Sequence, residues 1–477
     1  MRLVIDNSTG FLNDYYFQTL CLLYFPGEKF PAVPPADAPE ARIAFIGTPG
    51  DFCCTVRLCV DGKTADGVFS SSGYSFAVLL SQEDEAQITA GRAFLDAGEK
   101  LFGFRPPWGC ITGLRPAKRA RHFLALGNTE DRVRRLFSDD YLVSPGKTEL
   151  TMRTAARENA LLAGVTADCC GLYVSIPFCP TRCAYCSFVS QSVEKAKKQI
   201  PEYHRLLLEE LKETAKVADA LGLNLRAVYV GGGTPTTFSA EQLSEMIRVV
   251  KESFDMSQCE ELTVEAGRPD TIDRAKLDAL LKSGVSRISI NPQTLQDNVL
   301  ENIGRRHTAQ QTVDAFHLAR EAGFTNINMD LIVGLPGDTY ETFCDTIEKV
   351  IALDPENVTV HALALKRSSF ITQSGEINKA HADAALADRM MAYAERRLTE
   401  RGLEPYYLYR QSRMAGNLEN TGWAKPGTEC AYNIFTMDET ETVLACGAGG
   451  VTKLKNPYSE DLSRIFNFKY SYEYISR

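Results

Sequence analysis

Tyr173-Val-Ser-Ile-Pro-Phe-Cys-Pro-Thr-Arg-Cys-Ala-Tyr-Cys-Ser-Phe188 leads a short apolar, strand-like segment directly into three cysteines, Cys179, Cys183 and Cys186. Their spacing is Cys-x3-Cys-x2-Cys. Three thiolates can hold three irons of a [4Fe–4S] cube and leave the fourth iron open to a ligand. A closed structural zinc site would call for a fourth protein ligand.

Downstream of this stretch, apolar runs alternate with amphipathic ones. The runs Leu172–Ile176, Ala227–Val230, Glu261–Glu265, Arg287–Ile290, Ile327–Ile332 and Val358–Ala362 read as strands, with helices near 194–220, 239–254, 271–283, 308–322 and 338–353. Alternating β and α elements require a parallel sheet with right-handed crossovers, and short Val/Ile-rich runs suit strands covered on both faces. Six such units make an α/β fold, a partial (β/α)6 TIM-type barrel, whose chemistry belongs at the carboxyl ends of the strands. The informative residues fall at that end. The cysteine loop follows the first strand and Gly231-Gly-Gly-Thr-Pro-Thr236 the second. Glu265 ends the third and Asn291-Pro-Gln293 the fourth. Asp330 lies in the fifth, before Gly334-Leu-Pro-Gly337, and Ala364 and Lys366 follow the sixth. The glycine run lets backbone amides approach a ligand with no Cβ in the way. No Gly-Lys-Ser/Thr follows it, so it is not a phosphate P-loop.

The flanks read differently. Residues 1–165 form an N-terminal α+β unit, with strands at Arg42–Gly47 and Thr55–Val60, an Asp61-Gly62 turn and a hairpin return over Gly67–Gly73. Helices follow over Glu85–Phe102, Arg115–Leu126 and Lys147–Leu162. The barrel is expected over 166–380 and a C-terminal extension closing the site over 381–477, beginning with a helix at Ala382–Arg401 and carrying Cys446-Gly-Ala-Gly-Gly450. The basic group Arg115, Lys118, Arg119, Arg121, Arg132, Arg134 and Arg135 could grip carboxylates such as propionates bidentately, though it reads first as a solvated helix face. His307, His361 and His381 read as hydrogen-bonded structural residues, His361 being the one at the rim.

Composition narrows the classes. The chain has 477 residues, 44% hydrophobic and 24% charged, and carries a net charge of −9. That balance is ordinary for a globular protein and disfavours nucleic acid and anionic membranes as partners. No basic-then-apolar leader and no run long enough for a membrane span is read. Fourteen cysteines without a secretion signal point to the cytoplasm, where thiols serve metals or pack.

From Tyr173 to Val451 the chain resembles the radical S-adenosylmethionine (SAM) oxygen-independent coproporphyrinogen III oxidase (dehydrogenase) family. The cysteine loop and Gly231–Thr236 carry the resemblance, with Ser289-Ile-Asn-Pro-Gln293, Ile303-Gly-Arg-Arg-His-Thr308, Met329-Asp-Leu-Ile-Val-Gly-Leu-Pro-Gly337 and Tyr407-Leu-Tyr-Arg-Gln411. The N-terminal unit and Gly113-Leu-Arg-Pro116 resemble a bacterial branch with a long extension. The resemblance implies two cofactors, a [4Fe–4S] cluster on Cys179, Cys183 and Cys186, and SAM on its free iron. It implies SAM contacts at Tyr173, Tyr185, Gly232, Gly233, Thr234, Glu265, Gln293, Arg305 and Asp330, with Ala364 and Val451 near adenine or a second SAM. The implied reaction is oxidative decarboxylation of coproporphyrinogen III propionates to vinyls, giving protoporphyrinogen IX, with the electron supplied by a donor such as flavodoxin or ferredoxin. The cofactor would carry the hard step, while the protein aims it and excludes water. Two further readings stay open, a haem chaperone of the same superfamily and a radical SAM haem-degrading methyltransferase. The chaperone's His-Asn-x2-Tyr-Trp run is replaced here by Tyr432-Asn-Ile-Phe-Thr-Met437. Ser175 stands where many relatives carry His, and Ser187-Phe188 where a fourth cysteine follows.

Overall fold

A computed structural model of the chain describes residues 1–364, 384–411, 417–459 and 461–476. They fall into two compact units, Met1–Ala156 with Leu408–Glu419, and Arg157–Tyr407 with Asn420–Arg477. The sequence reading draws its boundaries at 165 and 380 instead.

In the first unit, β1 (Arg2–Asn7), β2 (Glu40–Thr48), β3 (Asp51–Val60) and β4 (Lys63–Ser70) form a sheet in that order. β1 runs parallel to β2 and the other pairs are antiparallel. The β3–β4 turn is the expected one, with Asp61 and Gly62 both at positive φ (49° and 74°), as a two-residue hairpin turn requires. The helix Gln82–Phe102 packs on the sheet so tightly that a Cβ on Gly67 would lie 2.1 Å from the Ala93 carbonyl oxygen. Phe45 and Phe52 of the sheet and Phe94 of the helix are fully buried. A buried ion pair joins Lys147 Nζ to Glu419 Oε1 at 2.6 Å, while Trp108 Nε1 donates to Glu419 Oε2 at 2.7 Å.

The second unit is built on one long sheet. β5 (Cys169–Ile176) is followed by two two-residue strands, β6 (Phe178–Cys179) and β7 (Gln191–Ser192), which pair only with each other. β8 (Asn224–Gly232), β9 (Glu261–Glu265), β10 (Arg287–Ser289), β11 (Ile327–Val333) and β12 (Asn357–Ala362) then lie side by side with β5 in chain order. Every neighbouring pair is parallel. These are the six strands expected from the sequence. Their crossovers are the helices Ile200–Ala220, Ala240–Ser253, Arg274–Lys282, Ala309–Ala322 and Tyr340–Leu353. Three of these begin with a reciprocal capping box, at Ser239, Thr308 and Thr339, which satisfies amide donors that a helix start leaves open.

The segment after 381 enters this sheet at both edges. β13 (Glu404–Arg410) and β14 (Glu419–Ala424) extend it beyond β12, with β14 antiparallel to β12. β15 (Thr442–Cys446) lies parallel to β5, and β16 (Val451–Lys455) and β17 (Leu462–Phe466) continue from it as an antiparallel pair. The six-stranded α/β core is therefore a partial barrel, an open sheet extended on each side.

Candidate functional site

The cysteine loop leaves β5 at Ile176 and is tied at its base. Gln191 N donates to Pro177 O at 2.9 Å, and Phe178 and Cys179 pair with Gln191 and Ser192. Inside the loop, Cys186 N donates to Cys183 O at 3.1 Å and Ala184 N to Ile303 O at 2.9 Å. Ala184 and Tyr185 pack on a buried cluster of Val299, Leu300, Ile303, Ile332, Leu335 and Leu363. Apolar burial therefore holds one wall of the loop while backbone bonds hold its stem.

The glycine run that ends β8 lies against that stem. Gly233 N donates to Ile176 O at 2.8 Å and Thr234 N to Phe178 O at 2.7 Å. A Cβ on Gly233 would stand 2.6 Å from Phe178 O and 3.0 Å from Cys179 Sγ. Gly232 has φ +107°, a conformation open to few residues but glycine. Thr234 Oγ1 lies 3.6 Å from Cys179 Sγ as a donor.

Cys183 is buried; Cys179 and Cys186 are half-buried. Burial pushes the Cys179 thiol up and the Cys186 thiol up to about 11. Burial also pushes on Cys183, but the guanidiniums of Arg305 and Arg268 outweigh it and hold that thiol below its ordinary value. A thiolate, not a thiol, is the metal ligand. Among the described residues no three His, Cys, Asp or Glu side chains close on a single metal ion. The thiolates of a cube serve three different irons and stand apart. The loop's donor set, its pinned stem and the glycine face beside Cys179 fit such a cluster.

The other expected residues gather around this loop. Arg305 is buried, donating from Nη1 to Asn291 O at 2.6 Å and from Nη2 to Tyr185 Oη at 3.3 Å. Its Nε and the Asn291 Oδ1 are buried without a partner among the described residues. Glu265 accepts from Tyr229 Oη at 2.7 Å, and burial pushes its carboxyl up to about 7, with the Asp330 charge adding to the effect. Gln293 adopts φ +66°, held by its N donating to Asp330 O at 2.8 Å and its O accepting from Ile332 N at 3.0 Å. A non-glycine residue there stores strain that the surroundings must hold. Asp330 Oδ1 accepts from Asn328 Nδ2 at 2.7 Å, and its Oδ2 stands 4.0 Å from His361 Nε2.

Tyr173 lies beside a residue pair that sequence reasoning missed. Its ring stacks on Tyr229 (6.3 Å between centroids) and Tyr432 (6.1 Å), which stack on each other at 4.7 Å. Tyr432 sits on the helix Ala431–Asp438, so nothing local to Tyr173 announced it. Ser175 Oγ donates to Ala448 O at 2.7 Å, bringing the Gly447–Gly450 turn beside the end of β5. Arg268, also missed, donates from Nη1 toward Cys183 Sγ at 3.9 Å. Ala364 follows β12, and Val451 opens β16 paired with Phe466. Neither has a described hydrogen bond to the cysteine loop. Lys366 and His381 lie outside the described residues. In the basic group, Arg119 bonds Asp84 and Tyr141, Arg132 bonds the Ala77 carbonyl and Arg134 bonds Glu149.

The sequence profile of the Radical SAM superfamily matches residues 173–350. Over 444 residues the chain is 35% identical to the oxygen-independent coproporphyrinogen-III oxidase-like protein HemZ of Bacillus subtilis, covering 90% of this chain and 88% of that protein. The chain belongs to the radical SAM coproporphyrinogen III oxidase-like family. Its members use a [4Fe–4S] cluster and SAM and need a reductant. The Heme chaperone HemW of Bacillus subtilis is 32% identical over 286 residues, covering 58% of this chain and 69% of that one. Among solved structures, the coproporphyrinogen III oxidase HemN of Escherichia coli matches with TM-score 0.52 at 24% identity, over 66% of this chain and 70% of that chain. That match supports the fold. No helix among the described residues is long and apolar enough to cross a membrane.

Proposed function

We propose that the chain oxidatively decarboxylates propionate side chains of coproporphyrinogen III to vinyls, giving protoporphyrinogen IX. The observation that carries this reading is the cysteine loop itself, pinned at its stem by the Phe178–Gln191 pairing and the glycine run, with buried Cys183 Sγ 3.9 Å from Arg268 Nη1. Identity to an oxidase-like relative along most of both chains supports the substrate class. When bound, the cluster and SAM supply one-electron chemistry that removes a hydrogen atom from the substrate. Each propionate then sheds CO2 and one further electron to an acceptor, leaving a carbon–carbon double bond.

In this reading Cys179, Cys183 and Cys186 ligate the cluster. Gly232, Gly233 and Thr234, which seat the stem of the cysteine loop, are assigned to the methionine portion of SAM. Arg305 Nε and Asn291 Oδ1, a buried donor and acceptor still unmatched among the described residues, suit a polar ligand group. Glu265, Gln293 and Asp330 offer further polar contacts, and the ring of Tyr173, with Tyr185, lines the site and excludes water. Ala364 and Val451 are assigned to adenine or a second SAM. A flavodoxin- or ferredoxin-type donor supplies the electron, in the reducing cytoplasm where free thiols can hold a cluster.

The likeness to HemW supports a second reading, a haem chaperone. One experiment separates the two. The anaerobically reconstituted chain is given SAM, a reductant and coproporphyrinogen III, and 5′-deoxyadenosine, CO2 and porphyrins are followed by mass spectrometry. Vinyl product with matching CO2 is expected. Unchanged coproporphyrinogen together with tight haem binding would overturn the oxidase reading in favour of the chaperone.

A further inference from the structure

Arg268 lies between β9 and the helix Arg274–Lys282, in a segment whose glycine and proline neighbours give no sign of a buried charge. Its side chain is nevertheless only 4% exposed. Burying a guanidinium is unfavourable unless partners compensate it. Asp270 takes one edge, with Nε to Oδ1 and Nη2 to Oδ2 both at 3.0 Å. Nη1 is left to face the cysteine loop, where it lies 3.2 Å from Thr181 Oγ1 and 3.9 Å from Cys183 Sγ. The Asp270 carboxylate also stands 3.7 Å from His307 Nδ1. The pair is thus oriented, its positive end toward the sulfur.

We propose that Arg268 is a positioning residue for the cluster, a carboxylate-anchored guanidinium that sets positive charge against Cys183 and raises the cluster's reduction potential. The inference rests on Cys183 being a cluster ligand. Reduction adds negative charge to a cluster, so a nearby positive charge favours the reduced form. Charge and hydrogen bonds at the ligand sulfurs are established levers on such potentials. Arg305 is a second cation at the same sulfur, but it reaches the loop beside Tyr185 and is not anchored by Asp270.

The test is a redox titration of the full chain, anaerobically reconstituted, followed by the electron paramagnetic resonance signal of the reduced cluster. In R268Q the reduced-to-oxidised ratio at a fixed ambient potential should fall about tenfold, equal to about 59 mV for a one-electron couple. R268K, which keeps the charge, should recover most of that loss. D270N leaves the guanidinium without its counter-charge and should move the potential the opposite way, toward easier reduction. A packing role would not give opposite signs. Shifts of the same sign in R268Q and D270N, or unchanged potentials in both, would overturn the inference. If R268Q takes up no cluster, D270N against the unaltered chain decides it. An unaltered chain that binds no iron and sulfide would instead defeat the ligand assignment, a distinct failure.

Discussion

Adding one methyl group at Gly233 tests the site's architecture at its tightest point. The new Cβ of Gly233→Ala would lie 2.6 Å from Phe178 O, 2.9 Å from Phe178 N and 3.0 Å from Cys179 Sγ. Two of those neighbours are backbone atoms, and that backbone is fixed by the Phe178–Gln191 bridge and the 2.7 Å bond from Thr234 N. Relief requires the loop stem to move. Overpacking of this kind costs about 1–3 kcal/mol, and a lost backbone bond adds about 0.5–1.5 kcal/mol. Chemical denaturation of the cluster-free chain measures the loss of stability, and iron and sulfide per chain after anaerobic reconstitution measures the damage to the site. Lower stability and impaired loading are expected together. Gly146→Ala is the control, since a Cβ there meets nothing within 4 Å. A G233A chain as stable as the unaltered one and equally loaded would refute the reasoning that glycine is needed to seat Cys179.

Other outcomes follow from single groups. Cys183→Ala should abolish the visible absorbance of the reconstituted cluster; an intact spectrum would remove Cys183 from the ligand set. Glu419→Gln withdraws the negative charge facing buried Lys147 and should cost about 3–5 kcal/mol in a denaturant titration; a change below about 1 kcal/mol would mean that the pair contributes little. Burial pushes the Glu441 carboxyl from its ordinary 4.5 up to about 8, and neither of its oxygens has a hydrogen-bond partner among the described residues, so the folded state binds the extra proton. Its contribution to stability is complete below the ordinary value and is lost as pH rises through about 8, by up to about 1.4 kcal/mol per pH unit for one group. Glu441→Gln should flatten this slope relative to the unaltered chain, and parallel stability–pH curves would refute the assignment.

Much of the fold was legible because its signals are local. Each core strand is a short apolar run, and each is followed by a motif that needs a strand end. Cys179 to Cys186 and Gly231 to Thr236 are contiguous, so their pairing with β5 and β8 could be read directly. What escaped depends on distant partners. β15 lies parallel to β5 although the two are separated by most of the barrel sequence, and Thr442-Val-Leu-Ala-Cys446 alone does not reveal a neighbour. β1 is six residues long and gains its place only by pairing with β2. The stack of Tyr173, Tyr229 and Tyr432 joins three separate elements. Nothing in the sequence around Arg268 marks it as buried; its two-pronged pairing with Asp270 becomes visible only in the structure.

The central claim is that three thiolates hold a cube whose remaining iron is open to SAM. The direct measurement is electron paramagnetic resonance of the anaerobically reconstituted, reduced chain, recorded before and after SAM is added and paired with iron and sulfide analysis. The account predicts about four irons and four sulfides per chain and a spectrum that changes when SAM binds. A chain without iron and sulfide, or a loaded cluster whose spectrum is indifferent to SAM, would contradict it.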